Sequence, residues 1–462
     1  MAETERLRAE AQARYERGEF QGALEAYLCL LELEAESADA HNDLATVYFR
    51  LRRFRDSMCH YVRALKLKPD HAEASQNFLT LCRATGISPE AAMKGAGGQP
   101  SEACASSPVD ISVVVPVGGS NFEAFDACLD ALYSQTFPAG RCEVLAVANG
   151  VNGGATQQLG GVVTGWQRHF GSRLKLLWIP EASIPIARNE GVAHSRGRIV
   201  MQINQDAALS RAALAQHYAG HEGFGLDPRC VIIGGRKFGA PYLRSLFNYL
   251  HESIPLYTPL HRPRPRFLGD HTWCVTCNMS ALREAFDRFG LYDPLYAWGS
   301  DQELGRRWET GHGARIYVDT NIIGYHLHWL SFEWWKGRCI EAAPSWFLWH
   351  MGMMPEELPP QGRQAVRDKL DTDGVDMGAM ENDLRRIERS FSGPESFAGE
   401  TVLGVRVRTL AEFNGRLRRV LTDYRTHLQY VELWKRIEGN LRGTEAVANE
   451  LPKAATVRRA SA

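Results

Sequence analysis

The sequence predicts an α/β protein: a Rossmann-like, mostly parallel central sheet, preceded by an all-α repeat module and followed by a helical region. Three observations predict it. Short apolar runs at 110–116, 142–147, 174–179 and 199–203 alternate with helical patterns, as in parallel sheets. Residues 4–74 repeat themselves with a period of 34. Beyond residue 339 the apolar spacing is that of long amphipathic helices.

The bulk properties limit the function classes. A chain of 462 residues suggests about three domains, and 44% hydrophobic with 23% charged residues is an ordinary globular balance. A net charge of −1 gives no case for a nucleic-acid partner. The stretch MAETERLRAEAQARYERGEF is charged and lacks the apolar centre of a signal peptide. No run reaches the roughly 18 apolar residues of a spanning helix, so a transmembrane segment is not expected. Ten scattered cysteines do not form a disulfide framework, and Cys274-Val275-Thr276-Cys277 is a lone pair, read as reduced structural thiols. The expected location is cytoplasmic, with peripheral contact at the inner face of a membrane left open.

In residues 1–84, Ala11 aligns with Ala45, Phe20 with Phe54, Tyr27 with Tyr61 and Ala40 with Ala74. Gly18 falls in the first turn, and Pro69 ends the second repeat. Small residues let paired helices approach, and aromatics fill the space between pairs. This resembles the tetratricopeptide pattern, with 72–83 as a closing helix. Such a module offers a groove to a protein or peptide partner, or else packs on its neighbour or dimerises. Residues 85–109, rich in Gly, Ala, Ser and Pro, read as a flexible linker separating two independent cores.

The chemistry is expected in residues 110–338, around Ile184–Leu209. A helix opens at Ala187-Arg188-Asn189-Glu190-Gly191 and stops at Gly197, and the strand from Ile199 to Ile203 leads to Asn204-Gln205-Asp206. Ligands of open α/β sheets bind just past the carboxyl ends of strands. A carboxylate there, with an Arg before it, suits a divalent metal and a phosphorylated ligand. Downstream come Asn278-Met279-Ser280, Gly290-Leu291-Tyr292-Asp293, Trp298-Gly299-Ser300-Asp301-Gln302-Glu303-Leu304-Gly305 and Tyr325-His326-Leu327-His328.

The ordered set resembles family 2 glycosyltransferases of the GT-A fold. Their pattern is A-R-N-x-G, a hydrophobic strand, D-x-D, then N-x-S, G-x-F-D, W-G-x-E-D-x-x-L-G and a His-bearing strand end. The resemblance spans about residues 111–338. Three acidic family positions are changed here, to Ala148, Asn204 and Ser300. It implies an inverting, metal-dependent transfer from a nucleotide-sugar donor to a protein, peptide or glycan acceptor, with Mn²⁺ or Mg²⁺ as the cofactor. Asp206 becomes the metal ligand, with His326 as third contact and His328 as alternate, since a strand puts both on one face. Pro116, Asn149, Arg188, Asn189, Asn204 and Asp206 become donor-binding residues. Asp301 becomes the general base with Glu303 as rival, and Trp298 and Gly299 face the acceptor. The competing structural readings are a helix cap for Asp206 or Asp301 and a surface ion pair of Arg188 with Glu190 or Glu181. Other readings are transfer to a lipid-linked or polysaccharide acceptor, and a degenerate scaffold.

Residues 247–268 read as a loop over the site. Residues 339–442 are expected to be helical, with a tryptophan-rich helix at 331–354, and 443–462 a disordered tail.

Overall fold

The computed structural model describes residues 2–51, 54–85, 89, 92–93, 109–119, 122–253, 265–351, 358–372, 376–393, 396 and 400–450. The chain forms two compact units, residues 1–243 with 251–328 and residues 244–250 with 329–462.

The first unit begins with the expected helical hairpins: α1 (Ala2–Glu16), α2 (Phe20–Leu33), α3 (Ala38–Arg50), α4 (Phe54–Leu67) and α5 (Ala72–Thr85). Gly18 turns the chain at φ +77°, and the Ser37 hydroxyl caps α3 by accepting from the Ala40 amide at 3.2 Å. Ala11, Ala23 and Ala45 are fully buried, as close helix approach requires.

Nine strands form one sheet in the order β3-β2-β1-β4-β8-β6-β9-β5, with β7 also pairing with β9. The strands are β1 (Ile111–Val117), β2 (Cys142–Asn149), β3 (Leu174–Ile179), β4 (Ile199–Gln202), β5 (Ala207–Leu209), β6 (Cys230–Phe238), β7 (Arg266–Gly269), β8 (Met279–Leu282) and β9 (Arg315–His326). The half β3-β2-β1-β4 is all parallel; β8 then runs antiparallel to β4 and to β6. This is the mostly parallel α/β architecture expected from the sequence. Every residue of β1 is buried because apolar layers cover both faces: Val113, Val115 and Val117 join one cluster and Val114 the other. The flanking helices are α6 (Glu123–Tyr133), α7 (Gly154–Phe170), α8 (Ile184–His194), α9 (Ala213–Gly223), and, after α10 (Leu246–Ser253), α11 (Arg283–Phe289) and α12 (Ser300–His312).

Several expectations are corrected. Met58, Tyr61, Val62, Phe78 and Leu81 of α4 and α5 join the same apolar cluster as Phe286 and Trp308, and α4 lies against α11. The repeats therefore share a core with the α/β domain instead of standing apart. Residues 94–108 of the expected linker lie outside the described residues. The stretch 247–268 is a loop only in part, being helical to Ser253 and extended from Arg266, with 254–264 outside the described residues. Helix α7 falls where no element was expected from the sequence. Its Leu159, Val163 and Phe170 form a buried stripe, while Gly160, Gly161 and Gly165 face open space.

The second unit holds α13 (Phe332–Met351), α14 (Pro360–Thr372), α15 (Met377–Ser390), a hairpin of β10 (Thr401–Val402) and β11 (Val405–Arg406), and α16 (Leu410–Glu450). The unit boundary falls at 328/329, ten residues before the expected 338/339. Within the region expected to be helical, α16 starts at Leu410, because the hairpin precedes it. The expected tail is helical as far as Glu450, and 451–462 lie outside the described residues. The tryptophans of α13 pack on α16, Trp335 at 6.0 Å from Tyr424 and Trp346 at 5.7 Å from Tyr430, ring to ring.

Candidate active site

The site is built where β4 ends. Asn204, Gln205 and Asp206 leave the sheet, and β5 then pairs antiparallel with β9, Ala207 opposite His326. The Leu327 amide donates to the Asp206 carbonyl at 2.7 Å, fixing the register. The two strand ends thereby bring one carboxylate to two imidazoles. His326 Nε2 lies 3.3 Å from Asp206 Oδ1, and His328 Nδ1 2.8 Å from Asp206 Oδ2. The rings stack at 5.6 Å with an interplanar angle of 12°, so both histidines enter the cluster. One ligand atom from each residue falls within 4.8 Å of the others.

The cluster has the protonation a metal needs. Burial pushes the Asp206 carboxyl up, but His326 and His328 more than offset it and hold it at about 2. Burial brings His326 down to about 4. Near neutrality Asp206 is an anion and His326 a neutral imidazole with both ring nitrogens buried and without a hydrogen-bond partner. An orphaned imidazole aimed at a carboxylate fits a divalent transition metal with mixed nitrogen and oxygen ligands. Asp206 is not a helix cap: α9 begins at Ala213.

At the end of β4 lies a buried cation. Arg188 of α8 is 2% exposed and does not pair with Glu190 or Glu181 as a surface residue would. Its guanidinium donates to Gln202 Oε1 and Asn204 Oδ1, both at 2.9 Å, and lies 6.0 Å from the Tyr292 ring. Burial lowers its pKa, yet guanidinium keeps its proton in proteins. A fixed positive charge thus sits at the end of β4 and orients Asn204. The Gln202 amide nitrogen and the Tyr292 hydroxyl around it are buried without partners.

Helix α8 is held from all sides. A Cβ on Gly191 would come within 2.2 Å of Val114, and one on Gly197 within 2.5 Å of the Ser112 amide, which is why glycine stands at both places. Glu143, fully buried in β2, anchors the helix exit through Ser112 Oγ at 2.7 Å, the Arg196 amide at 2.8 Å and Lys175 Nζ at 3.1 Å. Asn189, expected as a donor contact, staples the helix to the segment at Tyr292. Its Nδ2 donates to the Tyr292 carbonyl and its Oδ1 accepts from the Tyr292 amide, both at 2.9 Å.

The loop after β1 is also fixed by amides. Gln205 Oε1 accepts from the Gly118 amide at 2.8 Å and its Nε2 donates to the Gly118 carbonyl at 3.2 Å. Asn149 donates to the Val117 carbonyl at 3.0 Å, one residue past the buried Pro116. Gln205 and Gln202 were not singled out in the sequence. Their place in the strand end was visible, but an amide carries no signal of what it will bind.

Asn278-Met279-Ser280 is a structural joint. Asn278 donates to the carbonyls of Gly235 at 3.1 Å and Ile322 at 2.8 Å, tying β6 to β9 at a β-bulge. His217 of α9 reaches Asn278 Oδ1 at 3.0 Å and Ser280 Oγ at 2.8 Å, and His221 reaches Ser280 Oγ at 2.9 Å. This joint sets the course of β9, and so the position of His326.

At the start of α12, Gly299 adopts φ +73°, a left-handed conformation that glycine tolerates. Asp301 is half-buried; its Oδ2 accepts from the Thr276 amide at 3.1 Å and hydroxyl at 3.3 Å, and its Oδ1 from the Gln302 amide at 3.0 Å. It is not the cap residue of α12, which is Gly299. At Glu303, the expected rival base, Arg307 grips both carboxylate oxygens at 2.9 and 3.0 Å and spans to the Phe289 and Leu291 carbonyls. Trp298 is 44% exposed. The buried Cys277 thiol feels the charges of Arg236, Asp301, Asp206 and Arg188, so both constellations converge around it.

A family model for the TPR repeat matches residues 11–51. No curated protein matches the chain in sequence. Among solved structures, the chain is similar to S. aureus TarS at 16% identity and a TM-score of 0.33, covering 70% of this chain and 55% of the TarS chain. It is similar to the mannosyltransferase PcManGT from Pyrobaculum calidifontis, in complex with GDP-Man and Mn²⁺, at 15% identity and a TM-score of 0.42, covering 72% of this chain and 88% of that one. The likeness to GalNAc-T7 with UDP, GalNAc and Mn²⁺ has 14% identity and a TM-score of 0.38, over 56% of this chain and 53% of that one. No helix among the described residues is long and apolar enough to cross a membrane.

Proposed function

We propose that the chain is a metal-dependent glycosyltransferase, moving a sugar from a nucleotide-sugar donor to an acceptor hydroxyl with inversion. The observation that carries it is the Asp206–His326–His328 cluster at the carboxyl end of β4, with the buried Arg188 at the same strand end. The sequence resemblance and the donor complexes of the similar structures point the same way. A divalent ion held by Asp206, His326 and His328 would supply Lewis-acid neutralisation of the departing diphosphate. Two imidazoles favour Mn²⁺ over Mg²⁺, which prefers oxygen ligands. Arg188 adds fixed positive charge and holds Asn204 toward the donor, and the Asn149–Gly118–Gln205 frame shapes the place of the base.

In the transfer, the bond between the anomeric carbon and the diphosphate oxygen breaks, and the acceptor oxygen bonds to that carbon. Asp301 takes the acceptor's proton through a lone pair of Oδ1 left over by the Gln302 amide. Trp298 offers an exposed ring face to the acceptor. The repeat module, joined to the catalytic core through α4 and α11, recruits a protein, peptide or glycan acceptor or a partner.

The test is thermal stabilisation of the full chain by Mn²⁺ with a panel of nucleotide sugars, because a ligand of the native state raises its melting temperature. One donor should stabilise the wild type strongly, and Asp206→Ala should lose the effect while keeping its own melting temperature. Equal stabilisation of both proteins would refute the assignment. Donor binding without release of nucleoside diphosphate, across acceptors, would favour the scaffold.

A further inference from the structure

The second unit carries a basic groove that the proposed transfer does not use. It encloses about 610 Å³ between the β10–β11 hairpin and the first turns of α16, lined by Arg406, Arg408, Glu412, Arg416 and Arg419 among others. Four arginines face one glutamate. Glu412 is already committed: its carboxylate accepts from the Arg408 amide at 2.7 Å and the Thr409 amide at 3.3 Å, closing the start of α16. Among the described residues no carboxylate pairs with the four arginines, and only Arg416 makes a side-chain hydrogen bond, to the Val402 carbonyl at 3.5 Å. Arg406, Arg408 and Arg419 are exposed.

A cavity with four guanidinium groups and a single carboxylate keeps a clear excess of positive charge, which an anion of more than one charge matches. Guanidinium forks fit phosphoryl oxygens two at a time. The two arms of the groove are set independently, Arg406 by β11 and Arg408 by the segment that follows it, and Arg416 and Arg419 one helical turn apart on α16. They converge because Val402 and Val407 are buried beneath the hairpin and Phe413 and Leu417 beneath the helix. Val405 in the lining is 43% exposed, so apolar surface borders the charge.

We propose that this groove is a binding site for a phosphate-bearing ligand, whether a soluble phosphate compound or a phospholipid headgroup. The two sources are separated by two measurements on the full chain with chelator present. One is isothermal titration with inorganic pyrophosphate; the other is flotation with vesicles of mixed phosphatidylglycerol and phosphatidylcholine, against phosphatidylcholine alone. Binding is expected in at least one measurement. The double variant Arg406→Gln, Arg419→Gln should weaken it about ten-fold or more. Arg406→Lys with Arg419→Lys, keeping charge but losing the fork, should fall between, and it carries the test if the glutamine variant does not fold. Asp206→Asn should bind as the wild type does, which separates this groove from the candidate active site. Titration with pyrophosphate alone identifies a soluble ligand, and flotation alone a headgroup. Binding in neither measurement, or equal binding by the arginine variants, would overturn the proposal.

Discussion

The buried histidine pair behind β8 makes the first unit acid-sensitive by a predictable amount. His217 and His221 are enclosed between α9 and β8, and burial lowers their pKa values from 6.5 to about 4 and about 3. A depressed histidine is neutral in the folded chain, while the unfolded chain takes up a proton below 6.5. The stability is therefore complete above that value and is lost as pH falls toward 4. A pH of about 5 lies about 1.5 units below the unfolded imidazole's pKa of 6.5, so each histidine withdraws about 2 kcal/mol. The pair withdraws about 4 kcal/mol, a large part of the 5–15 kcal/mol typical of a domain. Carboxylates contribute little in this window, because they protonate lower. The perturbation is His221→Gln, which keeps a polar group near Ser280 Oγ and removes one titration. Urea unfolding near pH 7.5 and near pH 5 should show a pH-dependent loss smaller by about 2 kcal/mol in the variant. Hydrogen exchange of the Met279–Leu282 amides should report the same difference locally. An equal pH dependence in both proteins would refute the neutral-histidine account.

Two further outcomes follow from the geometry. Asp301→Asn should slow turnover by about 10²–10⁴-fold with donor affinity little changed, whereas Glu303→Gln should mainly lower the melting temperature, because it breaks the two-pronged bond to Arg307; steady-state kinetics and thermal unfolding separate them. Gly197→Ala should destabilise by about 1–3 kcal/mol, measured by urea unfolding, because the added methyl meets the Ser112 backbone, which cannot yield as a side chain would.

The sequence alone determined the local elements. Alternating apolar runs and helical periods depend on near neighbours, so the repeat helices and β1 to β4 were legible in order; the helix expected to stop at Gly197 instead ends at His194, and Gly197 stands where a Cβ would meet Ser112. Asp206, Arg188 and the two histidines were also legible as chemical types, because their setting past strand ends is local. What those side chains touch was decided by pairing across long separations. Asp206 meets His326 only because β5 runs antiparallel to β9, and either histidine alone would have satisfied the strand's alternation. Asn189 was read as a donor contact and Glu303 as a rival base; that Tyr292 and Arg307 take up their polar atoms was not legible, since the partner a buried polar group finds is set by packing across long separations. Gly160, Gly161 and Gly165 hid α7 because helix propensity is a weak prior, and the buried stripe of Leu159, Val163 and Phe170 outweighs it. The joining of the repeats to the α/β domain was likewise unreadable, because apolar residues on α4 and α5 look the same whether they cover a neighbouring repeat or α11. Composition supplies the apolar surface; only the packed structure decides which two surfaces exclude water together.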